Sequence, residues 1–486
     1  MSLSVRHSSS IALLVAGAFF MENLDGTVIA TALPQMAQSF HVGPVNLNVG
    51  MTAYMLTLAV FIPISGWIAD RFGARTVFGG AVAVFTISSI FCALSNGLEE
   101  FVVARIIQGI GGAMMVPVGR LVVLRSTKKQ HLLRATSFIT WPGLVAPVLG
   151  PPIGGFITTY ASWRWIFFLN VPLGLIGIVL SALWIGNIRE DERRPFDWTG
   201  FVSSAIACST LMYGLELAGE HPIPWLTIVP LLAASLLTGL LMVWHSSRHA
   251  TPLINLASLS IQTFAVTIRG GSLFRVAISV IPFLLPLLFQ IGFGLSAFRS
   301  GLLVLAVFAG NLGMKTVTTP VIRRFGFRKV LIGNGLLTAV SLFACAFLSP
   351  TLPTPVVVAI LFFGGLCRSM QFTSLNTLGF ADIPPGQMSA ATTFASMVQQ
   401  MTMGMGVAAG AIALRIAALL RHGSASNPTI PDFHLAFVLV GLIALVSVLD
   451  FLKLDAAAGA VVSGHHKEPR SLEARSQKHS TRAPPS

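Results

Sequence analysis

The sequence predicts an all-α membrane protein of fourteen spanning helices, built as two six-helix halves with two further helices inserted between them. Three observations carry this. Of 486 residues, 54% are hydrophobic and only 10% charged, against roughly a quarter charged in soluble domains. Apolar stretches of about twenty residues, the length that crosses a bilayer core of about 30 Å, recur from Ile11 to Leu452. A nine-residue connection also occurs twice, each time after the second span of a six-span block. The 45 glycines and 27 prolines suit closely packed, kinked membrane helices.

The spans are Ile11–Ala32, Val45–Ala69, Thr76–Leu94, Phe101–Val123, Ala135–Thr159 and Ile166–Ile185 in the first block. Thr199–Ala218 and Leu226–Trp244 follow as the insert. The second block is Phe264–Gln290, Gly301–Val321, Val330–Leu348, Val356–Leu378, Ala390–Leu420 and Phe433–Leu452. The expected organisation is an N-terminal tail (1–10), a first half (11–188), a linker with the inserted helices (189–258), a second half (259–452) and a basic, disordered tail (453–486). His465 and His466 in that tail read as a solvated pair rather than a metal site.

Basic residues sort by loop. Arg71 and Arg75 follow span two; Arg125, Lys128, Lys129 and Arg134 follow span four. Arg189, Arg193 and Arg194 follow span six, Arg248 span eight, and Arg323, Arg324, Arg328 and Lys329 span ten. The opposite loops hold little beyond Arg164, Arg299 and Arg421. The positive-inside rule then makes the even-numbered connections and both termini cytoplasmic. The net charge of +14 is a matter of topology, and no nucleic-acid partner is implied. Cys92, Cys208, Cys345 and Cys367 all fall in apolar runs without metal-ligand spacing. The first span is too long for a signal-peptide core and is read as retained.

The duplicated connection is Ala69-Asp-Arg-Phe-Gly-Ala-Arg-Thr-Val77 and Ile322-Arg-Arg-Phe-Gly-Phe-Arg-Lys-Val330, identical at five of nine positions. Repeated halves around a central site are a common plan of secondary transporters. The first span carries Glu22 and Asp25, three residues apart and so on one helix face. A carboxylate at that depth costs at least a few kcal/mol unless protonated, paired or hydrated. Two acids facing the interior of a bundle suit proton handling.

At these residues the chain resembles the major facilitator superfamily, and within it the fourteen-helix drug:proton antiporters of the QacA/EmrB type. The likeness covers nearly the whole chain except its tails. It rests on LDGTVIATALP (Leu24–Pro34), GWIADRFGAR (Gly66–Arg75), ARIIQGIGGA (Ala104–Ala113), GLVAPVLGPPIGG (Gly143–Gly155) and WRWIFFLNVPLG (Trp163–Gly174). Ala30 departs from the pattern, where the family usually has Asn. The resemblance implies the major facilitator fold, no cofactor and a small-molecule substrate exchanged for protons. It also implies a multi-pass protein of the inner (plasma) membrane in which one chain can work alone; tripartite partners follow by analogy only.

The motif residues have physical readings beside the resemblance. At about 1.5 Å per residue, Asp25 and Arg105 fall at similar depth. A pair or shared network between them is expected, either as a proton site or as a structural ion pair pinning two helices. Glu22, nearer the midplane, could take the proton or attract a cation. In the loop after span two, Gly66 permits close packing and Gly73 a tight turn. Asp70, Arg71 and Arg75 belong to what the family uses as a conformational latch, and Arg323 replaces the acid in the second copy. Span five carries Gly143, Pro147, Gly150, Pro151, Pro152, Gly154 and Gly155. Gly150 and Gly154 have the spacing for close helix approach, and the prolines are expected to break backbone bonds and kink the helix. The resemblance associates this stretch with export.

Arg275 and Arg368 fall near the midplane of the second half. They are expected either to pair with Glu22 or Asp25 across the halves, or to bind an anionic group of the substrate. Arg269 and Lys315 can snorkel. Tyr54, Trp141, Gln290, Phe19, Phe138, Gln371 and Asn376 are candidate pocket residues. The function expected is proton-coupled export of small amphipathic compounds by alternating access. A carboxylate-bearing metabolite is the rival substrate, and a non-transporting sensor the rival class. The chain holds no GxxxxGK[ST] loop, HExxH or GxSxG, which argues against a primary pump or an enzyme.

Overall fold

Backbone groups inside lipid have no water to bond, so each spanning segment must satisfy its own. In the computed structural model they do so as helices throughout. It describes residues 3–126, 132–186, 195–218, 224–249, 252–384, 387–422 and 428–463, with the side chains of 3–9, 124–126, 132–144, 389, 422, 461 and 463 left out. Twelve described stretches are long and apolar enough to cross a membrane. One of them, Ala297–Cys345, is two helices meeting at Gly326, whose φ of 74° is not helical. Leu132–Tyr160, 29 residues long, is a further helix outside those twelve. Counting the first as two and adding the second gives one helix for each of the fourteen expected spans.

We label them in chain order. The first half is α1 (Leu3–Val28, extended by the turn Ile29–Thr31), α2 (Pro44–Phe72), α3 (Ala74–Leu94), α4 (Leu98–Ser126), α5 (Leu132–Tyr160) and α6 (Arg164–Trp184). The insert is α7 (Trp198–Leu217) and α8 (Trp225–Arg248). The second half is α9 (Gln262–Gly292), α10 (297–325), α11 (327–345), α12 (Thr354–Gly379), α13 (Met388–His422) and α14 (Ile430–Phe451).

The duplicated loop folds alike in both halves. Gly73 has φ 89° and ψ 136°, Gly326 φ 74° and ψ 159°. This backbone region is open to glycine at little cost, and each glycine turns the chain between two helices. At the chain ends the N-terminal tail is helical, and the expectation of a disordered tail from 453 needs correction. Helix α1 begins at Leu3, so the N-terminal tail is largely a helical extension of the first span. Beyond Lys453, Leu454 is buried, Gly459 sits against Phe327 and a short helix runs Ala460–Ser463. That part of the tail packs on the second half because it carries apolar residues. His465 and His466 lie outside the described residues.

The bundle has two unlike ends. Toward the end opposite the duplicated loops, one apolar core joins both halves, from Leu24, Val28 and Leu33 to Phe283, Leu288, Phe308 and Phe433. Toward the loop end each half has its own larger core, around Phe78, Phe85 and Met115 in the first and Phe274, Phe327 and Leu375 in the second, and the halves meet there on one side only through a smaller one. A smaller cluster, including Val60, Met212, Phe394 and Met401, joins α2, the insert and α13. Among the described residues, three hydrogen bonds cross between the halves at the far end. Gln290 Nε2 donates to Thr31 O (3.0 Å), Phe298 N to Thr159 Oγ1 (3.0 Å) and Arg415 Nη2 to Asn46 Oδ1 (2.6 Å).

Helix α5 forms the centre of that seam. A Cβ on Gly154 would lie 2.5 Å from Val28 O of α1, and one on Gly155 would run into Ala297 O of α10. On the α10 side, a Cβ on Gly301 would run into Pro151 O. Small residues on two faces thus let one helix touch both neighbours along the backbone. The span-five prolines lack the backbone N–H that would bond the preceding turn. The helix continues through Pro147, Pro151 and Pro152 to Tyr160.

Helix α8 is the periphery. Leu226 is 95% exposed, and Trp225, Leu236, Leu237 and Leu240 are also exposed. Such a face, apolar and uncovered by protein, is what lipid covers.

Candidate functional site

Asp25 of α1 is the centre of a buried polar cluster drawn from five helices. Its Oδ2 lies 2.6 Å from Arg105 Nη1 of α4, with side-chain exposures of 0% and 1%. Its Oδ1 accepts from Gln108 Nε2 (3.1 Å) and Asn170 Nδ2 (2.9 Å). Both amides also donate to Ser89 Oγ of α3, at 2.8 and 3.2 Å. Arg105 Nη1 bonds Gln108 Oε1 as well (2.5 Å), and its guanidinium lies 4.1 Å from the centroid of Tyr54 on α2. An ionised carboxylate only accepts, and this one meets three donors from α4 and α6. The guanidinium face is covered by an aromatic ring, a favourable cation–π arrangement.

Helix packing makes the cluster possible. On α4, a Cβ at Gly109 would lie 3.0 Å from Tyr54 O of α2, and one at Gly111 2.8 Å from Ala81 O of α3. The close approach of the three backbones brings Arg105 and Gln108, one turn apart, onto Asp25.

Glu22 stands one turn from Asp25 toward the loop end. Its Oε2 is buried with no hydrogen-bond partner, and among the described residues it makes no ion pair within 4 Å. Arg120 of α4 is close enough to act on it electrostatically, as is Asp25. Arg120 is otherwise exposed, with its guanidinium 5.8 Å from the Phe19 ring.

In the second half, α12 repeats the residue pair of α4. Arg368 and Gln371 have the spacing of Arg105 and Gln108. No carboxylate meets them. Gln371 instead joins Asn334 Nδ2 (2.9 Å) and Leu331 O (3.1 Å). Arg368 Nη1 is buried without a partner, and Arg368 borders a cavity of 20 Å³ with Thr338, Ser341 and Ile278. That volume holds about one water. Arg275 of α9 donates to Asn376 Oδ1 (3.2 Å) and Thr267 O (3.4 Å), and its Nε has no partner. The expected pairing of Arg275 or Arg368 with Glu22 or Asp25 does not occur. Asp25 is already held by its own half, and no carboxylate lies within 4 Å of either arginine among the described residues. Lys315 of α10 donates to Thr373 Oγ1 (2.8 Å), and Arg269, 62% exposed, reaches Asp450 at 3.7 Å.

Other expected residues fall elsewhere. Gln290 fastens α9 to α1 at the far end. Tyr54 is 2% exposed and packs under Arg105. A Cβ on Gly66 would meet nothing within 4 Å, so close packing does not explain that glycine. Asp70 closes the last turn of α2, while Arg71 and Arg75 are exposed, Arg71 lying 5.4 Å from the Trp67 ring centroid. A Cβ on Gly150 would run into Thr27 of α1. Trp141, Gly143 and Phe138 lie outside the residues whose side chains are described. Sequence reasoning missed Ser89, Gln108, Asn170 and Arg120. Gln108 and Asn170 stand inside the very motifs quoted above, and the shared Arg-x-x-Gln spacing on the fourth helix of each half was the signal for Gln108.

Comparison with known proteins agrees with this architecture. The sequence profile of the Major Facilitator Superfamily matches residues 15–407. A protein of Pectobacterium atrosepticum, provisionally named multidrug resistance protein MdtD, is 38% identical over 440 residues, 90% of this chain and 94% of its own. The protein of that name from Escherichia coli K12 is 38% identical over 396 residues, 81% of this chain and 83% of its own. Among solved structures, a D-xylose–proton symporter superposes with a TM-score of 0.67 over 93% of this chain and 98% of its own, at 17% identity. The inward-open xylose transporter XylE of E. coli gives 0.61 over 91% and 95%, at 15% identity. These two likenesses are of fold.

Proposed function

Because the chain belongs to the Major Facilitator Superfamily, we propose that it is a proton-coupled antiporter that exports small amphipathic compounds by alternating access. The observation that carries this reading is the Asp25–Arg105 pair, buried and enclosed by Gln108 and Asn170, one turn from the unpartnered carboxyl of Glu22. Ionisable groups at membrane depth are functional by default. The name of the MdtD relatives supports multidrug efflux as the activity. Fourteen helices and the quoted motifs support placement in the drug:proton antiporter branch. The loop-charge bias supports an inner-membrane protein with cytoplasmic termini.

In this reading the far end, where the halves are fastened, faces outward, and the loop end, where each half has its own larger core, faces the cytoplasm. Substrate enters between the halves from the loop end. After the halves rock, a proton arriving from outside reaches Glu22 or Asp25. Protonating Asp25 converts an acceptor into a donor and so unsettles at least one of its three hydrogen bonds. Release of that constraint on α1, α4 and α6 favours return to the inward-facing state. A ligand shifts this equilibrium only by binding the two states unequally.

A second reading, export of an organic anion, is favoured by one observation. Arg275 and Arg368 each keep a buried N–H without a partner and without a neighbouring carboxylate.

Accumulation in inverted membrane vesicles tests both readings, using ethidium as a cationic probe and citrate as an anionic one. Antiport of amphipathic compounds predicts ethidium uptake that stops when an ionophore collapses the pH gradient. Citrate uptake lost in Arg275→Gln and Arg368→Gln would move the substrate to an organic anion. Uptake that ignores the pH gradient would overturn proton coupling.

A further inference from the structure

The inserted pair carries a side-chain cluster that the transport reading does not use. Asp197 caps the first turn of α7; its Oδ1 accepts from Gly200 N (2.8 Å) and its Oδ2 from Leu253 N (2.9 Å). The carboxylate is therefore fixed in place by two backbone amides from different segments. His245, in the last turn of α8, sets its Nε2 2.7 Å from the same Oδ1. His249 follows one turn later, its ring centroid 4.9 Å from that of His245. Donor atoms of all three residues lie within 4.8 Å of one another.

We propose that Asp197, His245 and His249 form a binding site for a divalent transition-metal ion of the zinc class at the loop end of the insert. Two imidazoles one helical turn apart present their nitrogens on one face, the arrangement that helical zinc sites use. Two nitrogens and one carboxylate oxygen suit zinc or cobalt, whereas magnesium and calcium take oxygen alone. Zinc binds nitrogen at about 2.0–2.1 Å, so tetrahedral neighbours stand roughly 3.3 Å apart. His245 and Asp197 are already slightly closer than that, and the exposed His249 lies within 4.8 Å of both. The Gly200 and Leu253 amides hold the carboxylate from behind, as outer groups do in metal sites.

Position gives the ion a task. Asp197 begins α7, the histidines end α8, and Leu253 lies on the connection into α9. A bound ion would staple the insert to the strand of chain that enters the second half. Arg248, next to His249 in sequence, lies 4.8 Å from the Trp244 ring centroid. In sequence Asp197 and His245 are 48 residues apart, so no ligand spacing announces the set.

The test is cobalt and zinc binding to the full chain in detergent, purified without a histidine tag and carrying His465→Ala and His466→Ala to remove tail binding. We expect one ion per chain near neutral pH, with the visible absorption of tetrahedral cobalt, displaced by zinc and unaffected by magnesium. Affinity should fall at least about tenfold in His249→Ala, an exposed position whose replacement leaves the Asp197–His245 contact intact, and further in His245→Ala. Absence of a bound ion, or binding unchanged in the His245→Ala/His249→Ala double variant, overturns the site.

Discussion

At the scale of single residues, two carboxylates three positions apart have opposite surroundings. Asp25 accepts from Arg105, Gln108 and Asn170, whereas Glu22 Oε2 accepts from none. Removing one partner of a buried ion pair leaves the other uncompensated and costs about 3–5 kcal/mol. Asp25→Asn should therefore lower stability by that order in denaturant unfolding in detergent, while Glu22→Gln should change it little. Equal losses in both would contradict the geometry. The charged members of this site are legible in the sequence because charge inside an apolar span is conspicuous. Ser89, Gln108 and Asn170 are not, because neutral polar residues in membrane helices are as often bonded to their own backbone. Thr27, Thr57 and Thr86 are of that kind. Gln290 shows the same ambiguity: an amide at a span end reads equally as a pocket group or as the fastening it is.

At the scale of elements, α5 and the insert each rest on a few atoms. The α5–α10 seam depends on Gly155 and Gly301, where a single methyl would strike backbone. Gly155→Ala should loosen the far-end closure. A cysteine placed at Gln290 would then react faster with a membrane-impermeant thiol reagent from the far side, the four native cysteines being buried. Gly66→Ala, which points into open space, should leave that rate unchanged. The insert depends on Asp197. Burial opposes its charge, but the Leu253 and Gly200 amides and the His245 ring outweigh burial and hold its carboxyl below the ordinary value. Between the folded and the unfolded value the unfolded chain binds more protons, so stability rises with pH there. The anchoring is complete above about pH 4, the ordinary value of an aspartate, and is lost as pH falls through the lower folded value. Acid titration of tryptophan fluorescence should show this step, reported by Trp198 and Trp244, and Asp197→Asn should remove it.

At the scale of the whole molecule, hydropathy and the duplicated loop were sufficient for the fourteen helices and the two halves. Lipid permits few alternatives to a helix, and Gly73 and Gly326 repeat one backbone conformation. The end at which the halves are closed was not legible. It depends on contacts between residues far apart in the chain, such as Arg415 with Asn46, for which periodicity carries no signal. The charge plan was half legible: acids in the first half, Arg275, Lys315 and Arg368 in the second. Asp25 does not pair across the halves because it is saturated within its own, and Glu22 stays without a hydrogen-bond partner at Oε2.

The central claim is that the first-half carboxylates exchange a proton for substrate. Proton release by the detergent-solubilised protein, followed with a pH indicator on addition of whichever probe the vesicles accumulate, tests it most directly. The account predicts release by the wild type and none from Asp25→Asn or from Glu22→Gln, whichever bears the proton. Undiminished release from both variants would contradict it.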